Sequence, residues 1–298
     1  MSERGFRASG VSLQEEAEAL SAALPPLLVE AERLASAVSL GIHGRRKAGM
    51  GESFWQFRRF RPEDSATAID WRQSAKSQHL FVREREWEVA QSVWFWRDGS
   101  MGMRFKSGEV SKRDRASVLA LALASALARG GEHVALFGEG HAPASSRLAL
   151  RRMAFALSED RQTHEALPPD APLSRNARFV WLSDFLSPTD RIEAALRRMT
   201  EAGLRGHLVH VVDPAEEDFP YEGRMRFEAP SEDLRETLGR AETVAGAYRA
   251  RFKAHAQALA ELAGKLSWRY LAHRTDRPAQ TALIALYADL SGARRSRI

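Results

Sequence analysis

The sequence has no cysteine. Disulfides, thiolate zinc sites, iron–sulfur clusters and cysteine nucleophiles are therefore excluded, and the composition suits a reducing compartment. A membrane-spanning run is missing too. The longest strongly apolar stretch, VLALALASALA over Val118–Ala128, has eleven residues, too few to cross a bilayer as a helix. The opening residues MSERGFRASGVSLQEEAEAL lack the positive-then-apolar pattern of a secretory signal, so a cytoplasmic location is expected. Strong net charge is absent as well. A formal +5 over 298 residues permits nucleic-acid binding without suggesting it. There is no internal repeat and no low-complexity segment.

Two common catalytic motifs fail on spacing. GRRKAGM, Gly44–Met50, has the first half of a phosphate loop, but Met50 stands where the phosphate-binding lysine belongs. Ser100 has Asp98, not glycine, two residues before it, so it is not a nucleophile elbow. The nine histidines are scattered. His207 and His210 lie three apart on an expected strand and so point to opposite faces.

What is present reads as α/β. Residues Ser12–Ser39 are rich in Ala, Leu and Glu and predict helix, cut in two by Pro25 and Pro26. From Gly41 to about Val89 the chain is rich in Arg, Gly and aromatics, with β-like runs SFWQFRRF and HLFVREREWEV. From Val89 onward short apolar strands alternate with helices. Strands are expected at Val89–Arg97, His133–Phe137, Arg178–Ser183 and His207–Val212, with an edge strand near Arg224 and a last strand in SWRYLAHRT. Helices are expected at Arg113–Arg129, Ser145–Leu157, Thr189–Ala202, Ser231–Ala263 and Ala279–Leu290. The chain thus divides into a helical segment (1–40), a β-rich segment (41–88) and an α/β core (89–298).

Three strands end alike: VWFWRD, FVWLSD and LVHVVD finish on Asp98, Asp184 and Asp213. In a parallel sheet their carboxylates line one edge, where open α/β sheets place ligands. Aspartate after a strand also caps the following helix, so either role fits each one. Asp98 and Asp184 have Ser100 and Ser183 beside them. Such hard oxygen donors suit Mg²⁺.

GMGESFWQFRRFRPEDSATAIDWRQSAKSQHLFVREREWE, Gly49–Glu88, resembles the signature of the domain-of-unknown-function 58 family. The matching residues are Gly49, Gly51, Phe54, Arg58, Phe60, Pro62, Asp64, Ile69, Asp70, Trp71, Arg72, Val82, Arg83 and Glu84. The likeness continues through Asp98, Ser100, WLSDF and VVDPAEEDFPYEG. It implies a von Willebrand factor A-like, Rossmann-like core: a mostly parallel sheet flanked by helices, with an N-terminal helical segment and a small β-rich insertion. In such domains an Asp-x-Ser-x-Ser strand end, a later Asp and a Thr hold a divalent cation in a metal-ion-dependent adhesion site. Asp98, Ser100 and Asp184 match three of these ligands. Gly102 replaces the second Ser, and Thr163 is the one candidate Thr before Arg178. The implied Mg²⁺ site is weak or vestigial, the alternative being a divalent-metal-dependent binding domain with a working site.

By the same resemblance Asp64, Asp70, Trp71 and Arg72 form a structural signature. Trp71 is expected to bury a large area, and Arg72 to pair with Asp64 or Asp70. Glu63, Ala66 and Thr67 depart from the family pattern, which commonly has Gly after the Pro and basic residues before Ile-Asp-Trp-Arg.

The resemblance implies a non-enzymatic interaction module that partners MoxR-type AAA+ ATPases and other von Willebrand A proteins. Trp55, Arg58 and Arg59 are the candidate partner contacts, because aromatic and Arg residues commonly anchor interfaces and Phe54 and Phe57 can take the inward face of an alternating strand. A different reading is nucleic-acid binding. Residues 41–86 hold ten basic and six acidic residues with aromatics interleaved. A metal-dependent hydrolase using the three aspartates is a further alternative, but no general base with a clear partner is visible.

Overall fold

A computed structural model of the chain describes residues 26–43, 54–61, 64–77, 79–85, 90–159, 166–171, 176–228 and 235–292. The chain divides into two compact units, one of residues 41–90 and one of the residues on either side. The helix expected before Pro25 lies outside the described residues, as does the basic tail ARRSRI after Gly292. The second expected piece is α1, Pro26–His43. Its Ala31 and Ala35 are fully buried.

The smaller unit is an antiparallel ribbon of β1 (Phe54–Arg59) with β2 (Phe81–Arg85). The connection carries a 3₁₀ turn, Ala66–Ala68, and a one-turn helix α2, Trp71–Ser74. Asp70 starts α2: its side chain accepts the Gln73 N–H at 2.9 Å, as an N-cap should.

The larger unit runs as β3 (Ser92–Arg97), α3 (Lys112–Arg129), β4 (His133–Leu136), α4 (Arg147–Ser158), β5 (Arg178–Ser183), α5 (Thr189–Glu201) and β6 (Arg205–Val212). It continues through α6 (Pro214–Asp218), β7 (Met225–Glu228), β8 (Arg235–Leu238), α7 (Glu242–Lys265), β9 (Arg269–Arg274) and α8 (Ala279–Gly292). Five of its strands form one parallel sheet in the order β4-β3-β5-β6-β9. This is the doubly wound, Rossmann-like architecture that the strand–helix alternation predicts. The chain leaves β3 for β4 on one side and crosses to β5 on the other. The order therefore reverses between the carboxyl ends of β3 and β5.

Helix α3 is apolar nearly all round, and it is buried from Ala116 to Leu127. It packs with α4 and α8 on one face of the sheet. On the other face Phe179, Trp181 and Leu208 form a core with Ile192, Leu196 and Met199 of α5 and Leu259 and Leu262 of α7. The composition of 231–263 predicts a long amphipathic helix with room for an interruption. Instead Arg235–Leu238 pairs antiparallel with Met225–Glu228, and α7 begins only at Glu242. This ribbon closes over an apolar cluster of Phe219, Ala241 and Ala245, against which Phe227 packs. That burial overrides the helical composition of RETL. His207 and His210 do take opposite faces. His207 approaches Asp289 of α8, and the His210 ring meets Phe252 and His255 of α7.

Two stability measurements check this arrangement. A Cβ at Gly206 would overlap the Phe179 carbonyl oxygen on the neighbouring strand. Gly206→Ala should therefore cost about 3 kcal/mol or more in urea unfolding. His273, buried on β9, has its pKa pushed down to about 4, chiefly by burial and then by Arg115. Below its ordinary value near 6.5 the unfolded chain takes up a proton that the folded chain refuses. Stability is thus lost as pH falls from about 6.5 toward 4, by about 2 kcal/mol from this residue between pH 7.5 and 5. His273→Gln should flatten that loss by the same amount.

Candidate functional site

Asp98, Asp184 and Asp213 follow β3, β5 and β6, three adjacent strands, at the carboxyl edge of the sheet. Asp98 and Asp184 flank the reversal in strand order, the position where open α/β sheets bind ligands. All three are buried. The Asp98 N–H still bonds the Leu182 carbonyl at 2.9 Å, so strand pairing fixes its backbone.

The side chains are held closely. One Asp98 oxygen accepts the Ser100 N–H at 2.7 Å, and the other accepts the Ser183 hydroxyl at 2.6 Å. Burial, and then the charge of Asp184, push the Asp98 carboxyl up to about 6, while hydrogen bonds from Ser183 and Ser100 pull the other way. Asp184 Oδ1 accepts the Leu186 N–H at 3.2 Å. Asp213 caps α6 through the Ala215 N–H and accepts both the N–H and the hydroxyl of Ser107, at 2.8 and 2.5 Å. For Asp213, both readings of a strand-end aspartate thus resolve into fastening: it caps one helix and ties down the loop after β3.

The residue that sequence reasoning missed is Lys112. It is 0% exposed. Its ammonium donates to Asp184 Oδ2 at 2.9 Å and to Glu216 Oε1 at 2.5 Å. Glu216 in turn accepts the Asp213 N–H at 3.1 Å through its other oxygen. Burial pulls the Lys112 pKa down, but Asp184 and Glu216 outweigh it and hold the ammonium above its ordinary value. Lys112 stays charged. The available signal was a lysine at the head of the charged run KRDR that opens the helix, a weak cue in a chain rich in basic residues.

The residues present do not fit a bound Mg²⁺. That ion asks for near-octahedral oxygen at about 2.0–2.1 Å. Here both Asp98 oxygens and both Asp184 oxygens already accept protein hydrogen bonds, and one Asp184 oxygen is held by an ammonium. Gly102 offers no hydroxyl. Thr163 lies outside the described residues. Among the described residues no group of three or more His, Cys, Asp or Glu is arranged to hold a metal.

The signature residues of the smaller unit depart from expectation in two respects. Trp71 is 65% exposed rather than buried. It sits at the first position of a single helical turn, with no layer of the two-stranded ribbon built over it. Arg72 is exposed and does not pair with Asp64 or Asp70. Asp64 instead accepts the Arg61 N–H at 2.7 Å, and Asp70 is spent as a cap. Trp55, Arg58 and Arg59 all belong to β1, with a register shift between Phe54 and Gln56. Arg58 pairs with Val82 and Arg59 with Phe81, so these are successive positions on opposite faces of the ribbon.

A family model described as "Protein of unknown function DUF58" matches residues 56–261. Among solved structures, an aerotolerance-related membrane protein from Bacteroides fragilis NCTC 9343 aligns at 15% identity and a TM-score of 0.43. The alignment covers 68% of this chain and 100% of that one. The conserved hypothetical protein BatB from Bacteroides thetaiotaomicron aligns at 13% identity and a TM-score of 0.37, with the same coverage of 68% and 100%. No curated protein matches the chain.

The fastening role of Asp213 is open to test. Asp213→Ala strands the buried Ala215 N–H and releases the N–H and hydroxyl of the exposed Ser107, and should cost about 1–3 kcal/mol in chemical unfolding. Asp213→Asn keeps an acceptor oxygen and should cost less than half as much.

Proposed function

Taking as premise that the chain belongs to the family described as Protein of unknown function DUF58, we propose that it is a non-enzymatic protein-interaction module. Its partner is an AAA+ ATPase of the MoxR type, and its strand-end loops are a degenerate metal-ion-dependent adhesion site. The observation that carries this reading is the state of the carboxyl edge. The position where an α/β enzyme keeps reactive groups is filled by a buried network in which Asp98, Asp184 and Asp213 are engaged with protein donors. A general base needs an acceptor that can reach a substrate, and these do not. What the edge offers instead is apolar surface. Leu186, two residues after Asp184, is 59% exposed, and Phe105, after the 3₁₀ turn that follows Ser100, is 36% exposed. A rigid rim with exposed apolar side chains is a binding feature. The ATPase partnership itself comes from the family resemblance.

Binding of the purified chain to a MoxR-type ATPase from the same genome tests this. Leu186→Asp should weaken binding about tenfold or more, which is about 1.4 kcal/mol, with unfolding unchanged, and Phe105→Asp should weaken it by at least as much. Arg58→Glu with Arg59→Glu should weaken it as well. Salt titration against duplex DNA separates the nucleic-acid alternative, whose affinity must fall with a slope of about −0.9 per neutralised phosphate. No ATPase binding at low salt, together with tight DNA binding of that slope, would overturn the module reading.

A further inference from the structure

The structure assigns to Lys112 the place of the metal: its ammonium is a resident cation, fixed to the chain, and Gly102 is the companion change that makes room for the carboxylate holding it. This rests on reading the strand-end loops as a degenerate adhesion site, and not on which partner the protein binds.

Three observations converge on it. The first is position. The ammonium lies at the Asp184 carboxylate, the ligand that the resemblance assigns to the cation, and draws in Glu216 from α6. It is completely buried, so the site is closed over a positive charge.

The second is that one oxygen serves two purposes. Asp184 Oδ2 is the atom that accepts from Lys112 at 2.9 Å. The same oxygen lies 2.8 Å from where a Cβ on residue 102 would sit. Real Cβ atoms essentially never come that close, so a serine at 102, the ligand of an intact site, would shift that carboxylate oxygen and disturb its bond to Lys112. The missing hydroxyl and the added ammonium thus meet at one atom.

The third is that nothing local favours a lysine there. Lys112 is the first residue of α3, after the N-cap Ser111. The positive end of the helix dipole repels a cation at that position, and burial of an ammonium costs several kcal/mol. Solvated helix starts take acids. A buried lysine there is explained by the two carboxylates that it joins.

A lysine differs from an ion in one functional respect. Mg²⁺ keeps exchangeable positions that can take a partner's carboxylate. The Lys112 ammonium has three protons and a fixed stem. Two protons go to Asp184 and Glu216, and the group faces the Phe105 ring at 5.8 Å. Such a site is formed permanently, is indifferent to chelators, and captures no carboxylate.

The experiment is thermal unfolding of the full chain in millimolar Mg²⁺ and in chelator. The parent should melt at the same temperature in both. Lys112→Ala removes the cation and leaves Asp184 and Glu216 facing the vacated space, with Asp98 beside Asp184 at the same strand ends. It should melt lower in chelator and recover on the order of 5–10 °C in Mg²⁺. Gly102→Ser should lower the melting temperature of the parent. In the Lys112→Ala background it should instead tighten Mg²⁺ binding about tenfold, read by calorimetry. Lys112→Gln, which keeps bulk and drops charge, is read in the same media in case the alanine variant does not fold. If the parent itself melts higher in Mg²⁺, and Asp98→Ala abolishes that, both the resident cation and the degenerate-site reading fall. If the parent is indifferent and neither Lys112 variant gains any Mg²⁺ dependence, the resident cation alone is overturned.

Discussion

The contact of Lys112 with Asp184 and Glu216 governs the carboxyl edge of the sheet. It joins the start of α3, the end of β5 and the short helix α6, segments separated by 72 and 104 residues along the chain. A buried ion pair of this kind is not a net source of stability by default, because desolvating the charges offsets much of their attraction. Its effect is conditional. Once one member is buried, loss of either partner leaves an uncompensated charge, which costs more than the pair contributes. The three segments are therefore held in one arrangement, and the hydrogen bonds around them inherit that fixity.

The parallel sheet makes this contact possible. Parallel strands send their carboxyl ends the same way, so residues far apart in sequence arrive side by side. Asp98 and Asp184 meet because β3 and β5 are neighbours. Asp213 joins because β6 is next. At each end the chain must then turn, and the turn supplies N–H groups that need acceptors. Ser100, Leu186 and Ala215 each donate to the aspartate two residues earlier. The same side chains thus close their own turns and fasten neighbouring segments. Turn closure and longer-range fastening, which look like rival explanations for a strand-end aspartate, fall to different oxygens of one carboxylate in Asp98 and Asp184.

Much of this was legible in the sequence and some was not, for physical reasons. Strand–helix alternation is a local pattern, and it located the sheet, the long buried helix α3 and the three terminal aspartates. Gly102 was legible as a departure from a pattern. Lys112 was not, because only the fold brings it within reach of residues 72 and 104 positions away. The strand Arg235–Leu238 was missed because RETL has no β character of its own; its pairing with β7 decides it. Trp71 was misjudged for the opposite reason. Its composition says core, but it opens one turn of helix on a thin ribbon and is 65% exposed. In each miss a long-range contact, or the lack of one, outweighed residue type.

On the proposed reading as an interaction module, a fixed cation also bears on how the protein engages a partner. Recognition through a bound metal is concentrated at one point, since a single carboxylate takes the open position and contributes a strong, directional bond. With the positive charge buried and both its carboxylates satisfied, no such point exists. Affinity must then come from surface: apolar side chains on the rim such as Leu186 and Phe105, and any charged groups around them. Contacts of that kind are individually weaker and depend on shape, so the loops that carry them must already be in place before a partner arrives. A permanently closed network beneath the loops provides that order without waiting for an ion. On that reading the ammonium shifts the task of the strand ends from coordinating a partner to holding still the surface that a partner meets.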